Sequence, residues 1–349
     1  MKQISSNKKI REENTSLLIR TLIKSGGMSR IELSEACGLA PSTVTQVISS
    51  LSERKLVEEY RTGSSTGGRP PVYVRIAPQY GCIVIFSIKR NGVTAEVFDL
   101  SGTRREELVL ADNMLVGNTL LRAINKVVVS IMEGGTIHPA NIICIGLLCQ
   151  EDIPEQDLMT MYFSSAESAM MPLDVAVHSR FGIPVRKEMI ERFSLDYFVE
   201  TYKAPYANYA YINVGERITV CFTMDNERVE LGGISTFDLN NFLHDKLLLQ
   251  NVAQSRHHDI VQQREETCSP LQFAHKIAVA IRSSCTFFAT DIVYVGGKAK
   301  ELDKIASETT RLLEGRPPVV KMELNVSNVV DLFKSRLLLS SASTLAQQI

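Results

Sequence analysis

The stretch that decides the fold is Ser29-Arg30-Ile31-Glu32-Leu33-Ser34-Glu35-Ala36-Cys37-Gly38-Leu39-Ala40-Pro41-Ser42-Thr43-Val44-Thr45-Gln46-Val47-Ile48-Ser49-Ser50-Leu51. Ser29 is followed three residues later by Glu32, the spacing of a capping box, so a helix opens there. It carries Ile31, Leu33 and Ala36 and stops at Gly38. Gly38-Leu39-Ala40 has the length of a helix-turn-helix connection. Pro41, favoured in a first turn, opens the next helix. Its core set is Val44, Val47, Ile48 and Leu51, at i, i+3, i+4 and i+7. Ala40 falls at the N-cap, where a serine would cap better. The opposite face carries Ser42, Thr43, Thr45, Gln46 and Ser49. These short or amide-bearing groups can approach base edges and phosphates without blocking entry to a major groove.

Upstream, residues 14–25 place Leu17, Leu18, Leu22 and Ile23 on one helical face, and Gly26-Gly27 ends the helix. Downstream, strands are expected at 57–60 and 72–76, around a loop that contains Gly67-Gly68-Arg69-Pro70. Three helices and a glycine-rich hairpin make a winged helix-turn-helix. Gly67 and Gly68 let the wing backbone approach closely, Pro70 stiffens its exit, and Arg69 suits the narrow, electronegative minor groove of A·T-rich DNA. Arg11, Arg30, Arg54, Lys55 and Arg61 are candidate phosphate contacts. The competing reading of these residues is a three-helix protein-interaction domain with a solvated loop.

Charge agrees with the nucleic-acid reading. Residues 1–80 hold 12 basic and 7 acidic residues, a net +5, whereas the remainder carries −6 of the overall −1. With 349 residues, 44% of them apolar and 22% charged, the chain reads as a soluble globular protein of two or three domains. No apolar run approaches 18 residues, so no membrane span is expected. The polar N-terminus lacks a secretory apolar region, and the expected compartment is the cytoplasm. Seven cysteines, an odd number without a CxxC pair, argue for buried small hydrophobes rather than a disulfide framework or a cysteine-rich zinc site.

The rest reads as α/β. In 81–202, strands are expected at 82–88, 93–100, 106–110, 142–148 and 183–185, and helices at 119–133, 172–181 and onward to about 202. In 203–330, strands are expected at 209–214, 218–224, 228–231 and 292–295, with helices at 239–249, 271–288 and 300–313. A last helix, 331–347, is expected to pack back on the first of these regions. Met159-Thr160-Met161 and Met170-Met171 read as core or interface, Gly296-Gly297 as close backbone packing, and Glu188 and Glu191 as a solvated helix start.

Residues 7–76 resemble the N-terminal region of ROK-family transcriptional repressors (repressor, open reading frame, kinase). The matching pieces are Ile10-Arg11-Glu12-Glu13-Asn14, Ser29-Arg30-Ile31-Glu32-Leu33-Ser34, Gly38-Leu39-Ala40-Pro41-Ser42-Thr43-Val44 and Gly67-Gly68-Arg69-Pro70. The resemblance implies an operator-binding homodimer or tetramer. It also implies a body with the two-lobed, actin-like, ribonuclease H-like fold of ROK sugar kinases. The expected domains are then 1–80, 81–202 with the last helix, and 203–330.

The departures from that family matter for chemistry. Where its kinases carry an Asp-x-Gly-x-Thr phosphate loop, this chain has Ser87-Ile88-Lys89-Arg90-Asn91-Gly92. Where they carry a catalytic aspartate, which in the repressors contacts sugar, Ile190 stands, and it can neither take a proton nor bond a hydroxyl. The glycine-rich turn of the second lobe is reduced to Gly215, followed by Glu216. Leu231-Gly232-Gly233-Ile234-Ser235-Thr236 replaces the Gly-Glu-x-Gly-His element, and the zinc cysteine cluster is absent. His244, His257, His258 and Cys268 remain as soft ligands, but the adjacent histidines do not share a helix face and read as solvated. No cofactor, no metal and no catalysis are therefore expected. The expected partner is an operator duplex. The body either keeps a diverged carbohydrate-like effector pocket between its lobes or serves only to oligomerise, and an active sugar kinase is the remote alternative.

Overall fold

The capping box expected at Ser29 closes in both directions. The Glu32 amide donates to Ser29 Oγ at 3.3 Å, and the Ser29 amide donates to Glu32 Oε2 at 2.7 Å. This is a computed structural model. It describes residues 2–62, 70–134, 141–150, 153, 155–163, 168–190, 193, 208–214, 218–224, 227–228, 237–238, 269–284, 290–297, 301–321 and 326–347. The head comprises α1 (Lys2–Ser25), β1 (Met28–Ser29), α2 (Arg30–Cys37), α3 (Pro41–Glu53), β2 (Val57–Thr62) and β3 (Val72–Ile76). Gly38 ends α2 in the left-handed region, at φ 63°, which glycine adopts without steric cost. Val44, Val47, Ile48 and Leu51 of α3 are buried as the periodicity requires. Ala40 makes no side-chain cap, also as expected.

Three expectations for the head are corrected. The first helix begins at Lys2 rather than near residue 14. Its buried stripe is Thr15, Leu18, Ile19 and Leu22, whereas Leu17 is 40% exposed. In α2 only Leu33 is buried; Ile31 is 69% exposed and Ala36 is exposed. An eight-residue helix has room for one central anchor, and its flanks turn to solvent. The hairpin also gains a third strand, because Met28 and Ser29 pair with Val74 and Tyr73.

The first α/β sheet has strand order β10-β7-β4-β5-β6. Its strands are β4 (Cys82–Lys89), β5 (Gly92–Asp99), β6 (Arg104–Ala111), β7 (Ile142–Cys149) and β10 (Val185–Met189). Strands β4, β5 and β6 form an antiparallel meander, while β7 and β10 run parallel to β4. Helices α4 (Gly117–Met132) and α5 (Leu173–Phe181) make the crossovers. They bury Leu120, Ile124, Val128, Leu173 and Val177 against alternate strand residues Val84, Phe86, Ile145 and Leu147. All eight residues of β7 are buried, as a parallel strand covered on both faces must be.

Two expectations for this region are corrected. The strand expected at 183–185 is β10, shifted to Val185–Met189, so Glu188 lies in a strand rather than at a helix start. The methionine segments form an antiparallel hairpin, β8 (Met159–Phe163) with β9 (Ser168–Pro172), in which Met161 opposes Met170 and both are exposed, so these two are not core residues, while the interface reading is untouched. Of the helix expected to run on to about 202, Ile190 and Phe193 are described and helical, and the rest, including Glu191, lies outside the described residues.

The second sheet follows the same plan. Strands β11 (Tyr209–Val214) and β12 (Ile218–Met224) are antiparallel, and β12 is edged by β13 (Glu227–Arg228) and β14 (Phe237–Asp238). Strands β15 (Ile292–Gly297) and β16 (Val319–Lys321) run parallel beside β11. Helices α6 (Pro270–Ser284) and α7 (Leu302–Leu312) precede and follow β15. Ile277, Ile281 and Ile305 pack on Ile212, Val214, Val293 and Val295. The helix expected at 239–249 lies outside the described residues. One antiparallel start followed by two parallel crossovers, used twice, is a duplicated ribonuclease H-like plan.

The chain falls into two compact units, Met1–Ile190 with Val329–Ile349, and Glu191–Asn328. The last helix, α8 (Val326–Gln347), therefore returns to the first unit. It seats at Gly146 of β7, where a Cβ would lie 2.6 Å from Phe333 and 2.7 Å from Leu337. Farther along α8, Ser343 Oγ accepts from Arg20 Nη2 of α1 at 3.0 Å and lies 3.3 Å from Ser16 Oγ. Cys82, Cys144 and Cys149 are buried and form no disulfide. Burial pushes Cys82 up to about 12 and Cys144 to about 11, so both stay protonated and act as small apolar fillers. No helix among the described residues is long and apolar enough to cross a membrane.

Candidate nucleic-acid interface

Helix α3 presents its polar face because its apolar face is fully used. With Val44, Val47, Ile48 and Leu51 buried, Ser42, Thr45, Gln46 and Ser49 stand exposed, and Thr43 is half-buried. Thr45 Oγ1 donates to the Pro41 carbonyl at 2.8 Å, which fixes its rotamer and leaves its lone pairs outward. Gln46 is the one exposed amide on this face, and an amide is the group that pairs bidentately with adenine.

The structure places the candidate phosphate contacts unevenly. Arg11, Arg54 and Lys55 are exposed, and Lys55 adopts a left-handed φ of 61° just past α3. Arg30 is half-buried, with Nη2 3.6 Å from Glu59 Oε1. Arg61 lies over the Tyr73 ring at 4.1 Å and near Tyr60 at 5.6 Å. Gly67, Gly68 and Arg69 lie outside the described residues.

A cluster at the wing root was not foreseen. Tyr60 and Tyr73 meet edge to face at 6.4 Å. Arg75 stacks over Tyr60 at 5.0 Å and is held by Glu58 at 2.8 Å, and Gln79 Nε2 donates to the second Glu58 oxygen at 2.8 Å. Tyr73 Oη reaches toward Glu32 Oε1 at 3.4 Å, which ties the wing to the capping box. Glu32 is held below the usual carboxylate range, first by the Ser29 amide, then by the Ser29 hydroxyl, with Tyr73 and Arg61 adding to it against a small burial cost. The signal for this cluster was present as Tyr60-Arg61 facing Tyr73 and Arg75 on two paired strands.

In the body, open α/β sheets bind ligands outside the carboxyl ends of their parallel strands. Here those ends are Lys89, Cys149 and Met189. The ladder between β4 and β5 continues to Lys89 opposite Gly92, so Arg90 and Asn91 form a tight two-residue turn. The Arg90 amide donates to Gln150 Oε1 at 3.2 Å. Near the end of β10, Lys187 Nζ pairs with Glu155 Oε1 at 2.9 Å. Burial alone would lower the Lys187 pKa, but the Glu155 hydrogen bond and charge outweigh it and the net shift is upward. Ile190 follows and is buried. Gly215, Glu216, residues 231–236, His244, His257, His258 and Cys268 lie outside the described residues.

Comparison with known proteins agrees with this anatomy. The family described as winged helix-turn-helix DNA-binding matches residues 11–58. The xylose repressor of Bacillus subtilis (strain 168) is 23% identical over 180 residues, covering 50% of this chain and 46% of the relative. The DNA-binding transcriptional dual regulator NagC of Escherichia coli (strain K12) is 30% identical over 99 residues, covering 28% of this chain and 24% of the relative. The chain thus spans about half, or less, of the curated relatives it matches. In structure it is similar to a ROK-family transcriptional regulator described as a homologue of the E. coli MLC protein. That match has a TM-score of 0.59 at 12% identity and covers 97% of this chain and 98% of the other.

The head and the twice-used strand plan define a class: a winged helix-turn-helix protein on an actin-like α/β body. Within that class, the chain is similar over part of its length to the xylose repressor and to NagC, and it has the fold of a ROK-family transcriptional regulator.

Proposed function

We propose that this chain is a sequence-specific DNA-binding transcriptional regulator, a repressor of carbohydrate-related genes, and not an enzyme. The observation that carries the reading is the exposed polar face of α3, with Ser42, Thr45, Gln46 and Ser49 opposite a fully buried apolar stripe. Helix α3 enters the major groove, Gln46 reads a base edge, and Ser42, Thr43 and Thr45 supply shorter polar contacts. Arg69, with Gly67 and Gly68, takes the wing into the adjacent minor groove. Arg11, Arg30, Arg54, Lys55 and Arg61 neutralise phosphates, with Arg30 leaving Glu59 to do so. Similarity to repressors named for xylose and to NagC supports carbohydrate-related target genes.

The body supplies self-association, so that two heads read two half-sites about one helical turn apart or a multiple of it. It needs neither cofactor nor metal for this. Absence of a carboxylate at Ile190, and a tight turn where ROK kinases have a phosphate loop, support a body without kinase chemistry. A carbohydrate-like effector releases the operator by binding one state of the body better than another. The second reading, a body that only oligomerises, is favoured by the same isoleucine, because it removes a group that would bond a sugar hydroxyl.

Fluorescence anisotropy on the chain's own upstream DNA, across a salt series and with a panel of sugars and sugar phosphates, tests the proposal. Tight, salt-sensitive binding released by one compound is the expected result. Binding that no compound alters selects the oligomerisation reading. ATP-dependent sugar phosphorylation by the purified chain would overturn the non-enzymatic assignment.

A further inference from the structure

A groove of about 690 Å³ lies on the first unit, between α4 and α5. Arg122, Asn125, Lys126, Ser130 and Glu133 line it from α4, at spacings of three and four that put them on one helix face, and Arg180 joins them from the last turn of α5. Three cations therefore face one carboxylate. Arg122 Nε donates to the Asn118 carbonyl at 3.3 Å within its own helix, and Arg180 lies 5.6 Å from the Phe181 ring. Neither contact consumes a positive charge. Among the described residues, none of the three is within ion-pairing distance of a carboxylate. Asn125 is more than nine-tenths buried, and its Oδ1 has no hydrogen-bond donor. Buried polar atoms are almost always satisfied, so an orphaned carboxamide oxygen in the wall of a charged groove marks a place where a donor is missing.

We propose that this groove binds a phosphate monoester of a polyhydroxylated small molecule. Arg122, Lys126 and Arg180 hold the dianionic phosphate, with guanidinium forks matched to its oxygens. Asn125, Ser130 and Glu133 meet the hydroxyls, whose O–H donors supply what the carboxamide and the carboxylate accept. Arg122 and Glu133 are eleven residues apart on α4, about 16 Å along its axis. Along α4 the cations Arg122 and Lys126 therefore precede the acceptors Ser130 and Glu133. A groove of this volume takes a monosaccharide-sized ligand. An extended polyanion such as a duplex would instead run its phosphates against Glu133. The site is confined to the first unit and is independent of operator binding, so it stands or falls separately from the function proposed above.

The test is titration calorimetry on the full chain, without DNA, using glucose 6-phosphate, glucose and inorganic phosphate as probes. The wild type and the K126Q/R180Q double variant are compared. Both substituted side chains are exposed, and circular dichroism melts of the two proteins should coincide. The expected result is saturable binding of glucose 6-phosphate, tighter than inorganic phosphate, no binding of glucose, and an affinity loss of at least tenfold in the variant. Equal affinity in the two proteins, or no binding of glucose 6-phosphate at millimolar concentration, overturns the site. Inorganic phosphate binding as tightly as the ester overturns the hydroxyl contacts. A fall in non-specific duplex affinity in the variant, with no ester binding, overturns the small-molecule assignment in favour of nucleic acid.

Discussion

Glu32 of α2 links two other parts of the head through its carboxylate: it accepts from the Ser29 amide at the helix cap and from Tyr73 of the wing. Its pKa is lowered in the folded state. A depressed carboxylate contributes stability above its unfolded value, about 4.3, and loses it as pH falls through the folded value. The acid limb of the stability curve should therefore be shallower in the E32Q variant than in the wild type, with the two differing most above about pH 5. Urea melts of the full chain at a series of pH values measure this. Gln46 belongs instead to the recognition role proposed for α3. Being exposed, it can be changed without unfolding α3, and Gln46→Ala should cost about 1–3 kcal/mol of operator affinity while relaxing preference at one base pair. Anisotropy against a set of single-base operator variants reads both effects. Equal discrimination by wild type and variant would remove Gln46 from the interface.

At the scale of elements, the decisive contact is that of α8 with β7. Gly146 has no side chain because Phe333 and Leu337 occupy that space. Gly146→Ala must push two fully or nearly fully buried side chains aside, and overpacking of this kind costs about 1–3 kcal/mol. The loss should be seen as a lower denaturation midpoint, with faster amide exchange concentrated in α8 and β7. Helix α1 illustrates a second rule. Residues 2–13 contain no apolar periodicity strong enough to announce a helix, yet α1 starts at Lys2. Once the Thr15, Leu18, Ile19 and Leu22 stripe is anchored, propagation adds one hydrogen bond for each residue fixed. Ion pairs Lys8–Glu12 and Lys9–Glu13, at i and i+4, support the extension.

Across the whole molecule, charge is divided between a basic head and an acidic remainder. That division makes salt the natural probe of operator binding. The slope of log affinity against log salt should flatten by about 0.9 for each phosphate contact removed, and by about twice that when both heads of a dimer lose it. Arg11→Gln and Lys55→Gln each provide this test, and a slope unchanged by both would place the phosphate contacts elsewhere. The head also shares a compact unit with the first sheet, through α8, instead of hanging from a linker.

What the sequence by itself determined was whatever is encoded over short separations. The helix-turn-helix came from a cap, a turn of three residues and an i, i+3, i+4, i+7 stripe. The β4–β5 hairpin came from Asn91-Gly92, and β7 from an unbroken apolar run. Strands Tyr209–Val214 and Ile218–Met224 lie where the pattern puts them. These signals are local because capping, turn geometry and helical or strand periodicity act within a few residues. Tertiary structure alone decided the pairings between distant residues. Ser16 and Ser343 meet across 327 positions, Met28 pairs with Val74, and Lys187 finds Glu155. It likewise decided that Ile31 and Leu17 face solvent, since one apolar anchor per short helix suffices when the neighbouring helices fill the rest. The groove of Arg122, Lys126 and Arg180 belongs to the same kind, because two of its three cations lie on α4 and the third on α5. Periodicity says which face of a helix is polar; only packing says which other polar face stands beside it.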